Sequence, residues 1–159
     1  MVGLGWVRAA SLVLATMAGT SVLFGVSPWP GAPACADSAF YGFKVIVHPG
    51  NHVRSVTWEF LTNAYFKRTT RWSDGELIRP VDLPVDAAPR AAFSTRVLQR
   101  SVPAVRAYWL QRIFSGHQAP PPELGSDAEV VHYVLVTRGA LGYVSGAAEV
   151  SAARVVRIE

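Results

Sequence analysis

The feature that most limits the fold is an apolar run near the start of the chain. Residues Ala9–Val26 are apolar or small, and Arg8 is the only charged residue among the first 36. A positive charge, an apolar run and the small-x-small sequence Ala34-Cys35-Ala36 are the three parts of a cleavable signal peptide. We therefore predict that residues 1–36 are a signal peptide cleaved after Ala36, and that the protein is periplasmic or otherwise exported.

Two alternatives to cleavage stay open. The apolar run is barely long enough for a membrane anchor, and Gly, Ser and Thr residues dilute it. Cys35 is also a candidate for lipidation, although Pro33, two residues before it, is a poor context for lipid attachment. Cleavage agrees best with all three parts of the pattern.

Cleavage leaves residues 37–159, which is enough chain for a single domain with one core. Cys35 is the only cysteine, so this domain has no disulfide, thiol nucleophile or cysteine metal site. The net charge of the whole chain is +4, and its arginines are spread out instead of forming a basic cluster with interleaved aromatic residues. We therefore predict no nucleic-acid binding, whereas a weak positive field favours small anions.

Four segments have the pattern of β-strands. Phe43–His48 is a nearly continuous apolar run, typical of a strand covered on both faces as in parallel sheets, and Pro49-Gly50-Asn51 ends it. Leu77–Leu83 contains Pro80, which lacks a ladder donor and so indicates an edge or irregular strand. The last two are Ala140–Ser145 and Arg154–Glu159, which we expect to lie beside or near the first strand.

Capping residues and helical periodicity predict four helices between these strands. They are Val56–Phe66 after Ser55, Pro89–Gln99, the segment after Ser101, and the segment from the capping box Ser126–Glu129 to a left-handed Gly139. The inner stripe of the third helix is predicted to be Val105, Tyr108, Trp109, Ile113 and Phe114. Strands separated by helices give an α/β fold with a mixed β-sheet flanked by helices.

Motifs for catalysis are absent from the sequence. No Gly-x-Ser-x-Gly elbow, phosphate-binding loop or dinucleotide-binding glycine pattern occurs. His48 and His52 flank a Pro-Gly turn and do not share a helix face, so we predict no metal site. Asp82 and Asp86, near a strand end, are interpreted as solvated or capping carboxylates. We therefore predict a non-enzymatic protein with no catalytic residue, metal or cofactor.

Helix N-termini are the best candidates for a binding site, because their free N–H groups and dipole attract anions. Three of the predicted helices begin after loops, and the second begins at Ala88–Arg90. There Arg90 adds a guanidinium group and Ser94 a hydroxyl. We predict that Arg90 and Ser94 contact an anion, with an ordinary cap and a surface arginine as the alternative. Asn51, at the end of the first strand, is a further candidate.

The order of several short segments resembles a known family. VIVHPGN, TTRWSDG, IRPVD, RAAF, YWLQRIFSG, SDAEVV and GALGYVS follow one another as in the phosphate-type solute-binding proteins of ABC transporters, which have the type II periplasmic-binding fold. The resemblance covers residues 43–145 and is strongest to short, single-lobe members. It implies a single-lobe domain corresponding to lobe two of the full-length proteins, in which two lobes close on phosphate and the segment like VIVHPGN crosses between them.

The resemblance implies the fold more strongly than the ligand. The family's lobe-two phosphate loop has a Ser-Gly-Thr type sequence at a helix start, where this chain has Ala87, Ala88 and Pro89. Proline also lacks the N–H that a phosphate would contact. One hypothesis is binding of phosphate or another small anion in connection with ABC-type phosphate uptake, with a second lobe supplied by a dimer or another envelope protein. The alternative is a cell-envelope protein-interaction module that kept the fold and lost its ligand.

Overall fold

A computed structural model describes residues 41–116 and 118–159 of the protein. The predicted signal peptide and its cleavage site lie outside these residues. The strands are β1 (Phe43–Val47), β2 (Ser55–Val56), β3 (Arg79–Pro80), β4 (Ala140–Ser145) and β5 (Arg154–Ile158). The helices are α1 (Trp58–Tyr65), α2 (Ala88–Arg96), α3 (Val102–Phe114) and α4 (Asp127–Val136). Within these described ranges, no helix has both the length and the apolar character needed to cross a membrane.

The five strands form one mixed sheet in the order β2-β5-β1-β4-β3, which confirms the predicted fold class. β1 lies at the centre, with Val45 opposite Tyr143 of β4 and Val156 of β5. The first strand therefore lies between the last two, which agrees with the prediction that they lie beside or near it. Both neighbours run antiparallel to β1, unlike the parallel environment that its apolar run suggested. Four of the five residues of β1 are buried, so coverage of both faces explains the run without parallel neighbours.

Side-chain caps fix where three of the helices begin. α1 begins after Thr57, whose Oγ1 accepts a hydrogen bond from the N–H of Phe60 at 3.0 Å. The prediction that Ser55 caps this helix is wrong, because the backbone of Ser55 pairs with β5 and the residue belongs to β2. Ser101 and Ser126 cap α3 and α4 as predicted.

β3 is an edge strand, as Pro80 indicated. It has only the two residues Arg79 and Pro80, and it pairs in parallel with β4. Pro80 has no N–H to give to the ladder, but Val81 beyond it donates to the carbonyl of Leu141 at 3.0 Å. This hydrogen bond continues the pairing with β4 beyond the proline.

Gly139 occupies the turn between α4 and β4, with a φ of 72°. The left-handed conformation is confirmed, although α4 ends at Val136 and the glycine lies beyond its cap. The carbonyl of Gly139 accepts hydrogen bonds from the indole N–H of Trp72 and the backbone N–H of Arg79, both at 3.0 Å. The turn before β4 is therefore hydrogen-bonded both to the segment that contains Trp72 and to β3.

The apolar core is formed by the sheet and the inner faces of the helices. Within α3, the predicted inner stripe is confirmed at Val105 and Trp109, which are buried. It is wrong at Ile113 and Phe114, which are 47% and 87% exposed. The last turn of α3 extends beyond the core, and its apolar side chains are left open to solvent.

Candidate ligand-binding cleft

Arg90 lies on the buried face of α2. Arg90, Phe93 and Ser94 are all buried, and residues three and four apart share one face of a helix. Pro89 occupies the first turn, where its missing N–H removes no intrahelical hydrogen bond. Because this face packs inward, Arg90 is only 4% exposed, and the alternative of a surface arginine is wrong.

Asp82 neutralises the charge of Arg90. The carboxylate oxygen Oδ2 forms an ion pair with Nη1 of Arg90, and both side chains are 5% exposed. The other oxygen, Oδ1, accepts a hydrogen bond from the hydroxyl of Tyr143 and one from the N–H of Leu83 at 3.1 Å. The expectation that Asp82 is solvated is therefore wrong, because a buried guanidinium group and two donors surround its carboxylate.

The segment before α4 holds the backbone of Asp82 in place. The N–H of Asp82 donates to the carbonyl of Pro122, and the N–H of Leu124 donates to the carbonyl of Asp82, each at 2.9 Å. This short parallel pairing places Glu123 beside Asp82. It therefore brings a second carboxylate to the region of the ion pair.

Tyr143 supports the ion pair from β4. Its ring stacks on that of Phe93, with the ring centres 3.9 Å apart and the planes within 2° of each other. Burial raises the pKa of Tyr143 well above its ordinary value, although the positive charge of Arg90 acts in the opposite direction. The hydroxyl therefore stays protonated at neutral pH and remains a donor to Asp82.

The ion pair forms the base of a cleft of about 360 Å³. Its walls come from α3, from the loop after β3 and from the loop before α4. The charged residues that line it are Asp82, Glu123, Arg90 and Arg106, two of each sign. Its apolar lining consists of Val85, Trp109, Leu110, Ile113, Pro120 and Pro121. A concave, mainly apolar site with a few polar groups is typical of small-molecule binding.

Two polar groups near the base of the cleft have no hydrogen-bond partner among the described residues. They are Nε of Arg90 and Oγ of Ser94. Ser94 is completely buried and lies one turn after Arg90 on the same helix face. The structure thus brings together these two predicted residues, but only Arg90 lines the cleft. Contact between Ser94 and a ligand stays a prediction.

Asn51 lies at a different part of the surface. It lines a separate cavity of about 380 Å³ together with Trp72 and Asp74. Its side-chain oxygen accepts a hydrogen bond from the N–H of Val53 at 2.9 Å, while its Nδ2 has no partner among the described residues. The structure does not bring Asn51 together with Arg90, and a role for it in binding stays a separate prediction.

The helix N-termini differ in what already occupies them. At α4, Oγ of Ser126 accepts from the N–H of Glu129 at 3.3 Å, and the Glu129 carboxylate accepts from the N–H of Gly125 at 3.0 Å. This helix start therefore carries an anionic group of its own. At α2 the N-cap residue is Ala87, which provides no side-chain hydrogen bond. The start of α2 is the better candidate for an external anion.

Sequence reasoning missed Arg106 and Glu123 as cleft residues. Arg106, Leu110 and Ile113 are four and three residues apart on α3, so they share a face. This spacing was available in the sequence, but Ile113 was assigned to the core and Leu110 was not assigned to any site. No sequence pattern pointed to Glu123, since only its backbone pairing with Asp82 places it at the cleft. Within residues 41–116 and 118–159, no three His, Cys, Asp or Glu side chains form a group suited to a metal ion.

The sheet order and its flanking helices define an α/β lobe of the periplasmic-binding-protein fold. Comparison with protein-family models finds no match, and comparison with curated protein sequences finds none either. The likeness is therefore one of structure.

Several solved structures share this fold, and they include a phosphate transport receptor. An ABC-type phosphate transport receptor from Vibrio cholerae is 18% identical, with a TM-score of 0.57, over 74% of this chain and 46% of the receptor. PstS from Borrelia burgdorferi is 10% identical, with a TM-score of 0.57, over 74% of this chain and 47% of its own. A possible phosphate binding protein from Planctomyces limnophilus is 20% identical, with a TM-score of 0.53, over 74% of this chain and 41% of that protein. The chain thus has the fold of part of these proteins and spans less than half of their length.

Proposed function

We propose that residues 37–159 form an exported, non-enzymatic binding module that holds phosphate or another small anion in this cleft, in connection with ABC-type phosphate uptake. The observation that carries the proposal is the buried guanidinium group of Arg90, which lines the cleft and has an Nε without a partner among the described residues. The similar solved structures include a phosphate transport receptor, which supports the same class of ligand.

The chemistry of the guanidinium group suits an oxyanion. It presents five N–H donors in a planar fork, and the ion pair with Asp82 is made through Nη1. Because Tyr143 and Leu83 hold the carboxylate of Asp82, the guanidinium group is held in one orientation before any ligand arrives. Arg106 adds a second positive charge from α3.

A second surface over the cleft is part of the proposal. Contacts to an anion that stays in water are screened and weak. The chain spans less than half of the similar structures, and two residues at the end of α3 expose apolar surface, Ile113, which lines the cleft, and Phe114, which follows it. A second copy of the chain or another envelope protein would cover this surface and exclude water from the anion.

Isothermal titration calorimetry with inorganic phosphate tests the proposal. We expect saturable binding that weakens with added salt and weakens further in Arg106→Gln, which changes an exposed residue of the cleft. Arg138→Gln is the matched control, because Arg138 is also exposed but pairs with Glu76 at 3.2 Å away from the cleft. Equal loss of affinity in both variants would contradict a site in the cleft.

A protein-interaction module without a small ligand is the second candidate. The observation that favours it is the start of α2, where Ala87, Ala88 and Pro89 provide no hydroxyl group and one fewer N–H. In that case millimolar phosphate gives no binding heat with a protein whose circular dichroism shows it to be folded. The exposed side chain of Phe114 would then mark the interface.

Export is tested separately, by the mass of the protein recovered from the cell envelope. Cleavage after Ala36 gives a chain that begins at Asp37 and contains no cysteine. A lipid attached to Cys35 would instead give a heavier, detergent-soluble product. An uncleaved chain would support the membrane-anchor alternative.

A further inference from the structure

The charges that line the cleft are balanced. Asp82 and Glu123 oppose Arg90 and Arg106, so the lining has no net formal charge. An inorganic dianion is attracted by an excess of positive charge, and this lining provides none. Electrostatic attraction alone therefore accounts for little of the affinity that the site can provide.

The wall formed by α3 offers a second source of affinity. Leu110 and Ile113 are each 47% exposed and both line the cleft. Trp109, directly before Leu110 in the sequence, also lines the cleft and is almost buried, and Val85 lines the cleft with 47% of its surface exposed. Apolar side chains gathered around polar groups in one concavity indicate a ligand that covers them.

The size of the cleft agrees with such a ligand. Clefts of roughly 300–1,000 Å³ hold organic molecules, and this one has a volume of about 360 Å³. A tetrahedral inorganic anion bound at Arg90 would leave the wall of Leu110 and Ile113 in water.

We infer that the ligand of this cleft is an amphipathic organic acid. Its acidic head, a phosphomonoester or a carboxylate, binds Arg90 and Arg106, and its aromatic or branched aliphatic body packs on Leu110, Ile113 and Val85. The inference rests on the proposed anion site and adds the class of its ligand.

Two pairs of probes that differ only by an apolar body test this inference. Inorganic phosphate is compared with phenyl phosphate, and acetate with benzoate, by calorimetry on the purified protein. In whichever pair binds, we expect the aromatic member to bind about tenfold more tightly, because the ring removes apolar surface from water. Binding of the aromatic member should quench tryptophan fluorescence, and this quenching should disappear in Trp109→Phe, since Trp109 lines the cleft.

Substitutions in the apolar wall formed by α3 test whether this wall causes the tighter binding of the aromatic probe. Leu110→Ser and Ile113→Ser should remove most of the tenfold advantage of the aromatic probe and leave the affinity for the small anion unchanged. Val136→Ser is the matched control, since Val136 is 66% exposed on α4 and does not line the cleft. Because all three side chains are exposed, we expect the variants to fold.

The possible failures are distinguishable. If a small anion binds through Arg106 but its aromatic partner binds no more tightly, the inference is overturned and the proposed anion site stands. If none of the four probes binds, or if Arg106→Gln changes nothing, the proposed function fails together with the inference. An advantage of the aromatic probe that survives both serine substitutions would also overturn the inference.

Discussion

Asp82 and Arg90 form an ion pair in which each side chain is 5% exposed. Removing two charges from water is costly, and such pairs often contribute little net stability. Here the carboxylate is also held by the hydroxyl of Tyr143 and the N–H of Leu83. The arrangement fixes a cationic group at the base of the cleft, as the proposed anion site needs.

Asp82→Asn should be strongly destabilising. It leaves the guanidinium group of Arg90 buried without its counter-ion, and breaking a buried pair in this way costs about 3–5 kcal/mol. Arg90→Met should cost less, because the Asp82 carboxylate keeps its two other donors. The double variant should recover part of the loss. Urea unfolding of the four proteins measures these differences and the coupling between the two residues.

The exposed ion pair of Glu76 and Arg138 is the control for that cycle. Arg138 has 80% of its side chain exposed, and the two charged groups are 3.2 Å apart. Exposed pairs contribute about 0–1 kcal/mol, so Glu76→Gln should change the free energy of unfolding only slightly. A similar loss for Glu76→Gln and Asp82→Asn would contradict the assigned difference in burial.

Stability should fall steeply at alkaline pH. Burial raises the pKa of Tyr143 and of Tyr65 above the ordinary value of 10.0. Above pH 10 the unfolded chain loses these protons while the folded protein keeps them, so the unfolded state binds fewer protons and stability falls as pH rises. The slope is about 1.4 kcal/mol per pH unit for each tyrosine.

Tyr143→Phe separates the two tyrosines. It should lower stability at neutral pH by about 1.5–3 kcal/mol, because the charged Asp82 loses a donor. Above pH 10 it should reduce the slope and leave only the contribution of Tyr65. The measurement is urea unfolding at several pH values, with Tyr133→Phe on α4 as the control. An unchanged alkaline slope would show that Tyr143 does not stay protonated.

Much of the fold could be predicted from the sequence because local patterns determine it. The apolar run of β1 and the serine caps of α3 and α4 depend on neighbouring residues only. The cap of α1 was placed two residues early, because Ser55 and Thr57 are both favourable cap residues and only the pairing of Ser55 with β5 decides between them.

The cleft could be predicted only in part. Arg90 was found because it lies at a helix start, but its burial follows from the packing of α2 on the sheet. Its partner Asp82 and the nearby Glu123 come together through a short pairing between distant segments, which no local pattern indicates. Ile113 was assigned to the core because helical periodicity identifies an apolar face without showing what covers it.

Thr57, and not Ser55, caps α1, and substitutions at both residues test this assignment. Thr57→Ala should destabilise the protein by about 1 kcal/mol, since it removes the 3.0 Å hydrogen bond to the N–H of Phe60. Ser55→Ala should have a smaller effect, because Ser55 lies in β2 and does not cap the helix. Thermal or urea unfolding of both variants measures the difference. A larger effect at Ser55 would restore the original assignment of the cap.

Gly139→Ala should be far more destabilising than Gly75→Ala, although both glycines have positive φ, at 72° and 86°. A left-handed conformation alone costs a non-glycine residue about 1–3 kcal/mol. At Gly139 an added Cβ would also clash with the carbonyl oxygen of Leu77, whereas at Gly75 nothing lies within 4 Å of it. The first substitution must therefore shift the backbone that pairs β3 with β4 and holds Trp72. Urea unfolding should show a loss of about 1 kcal/mol for Gly75→Ala and at least twice that for Gly139→Ala, and equal losses would mean that this turn is not packed as described.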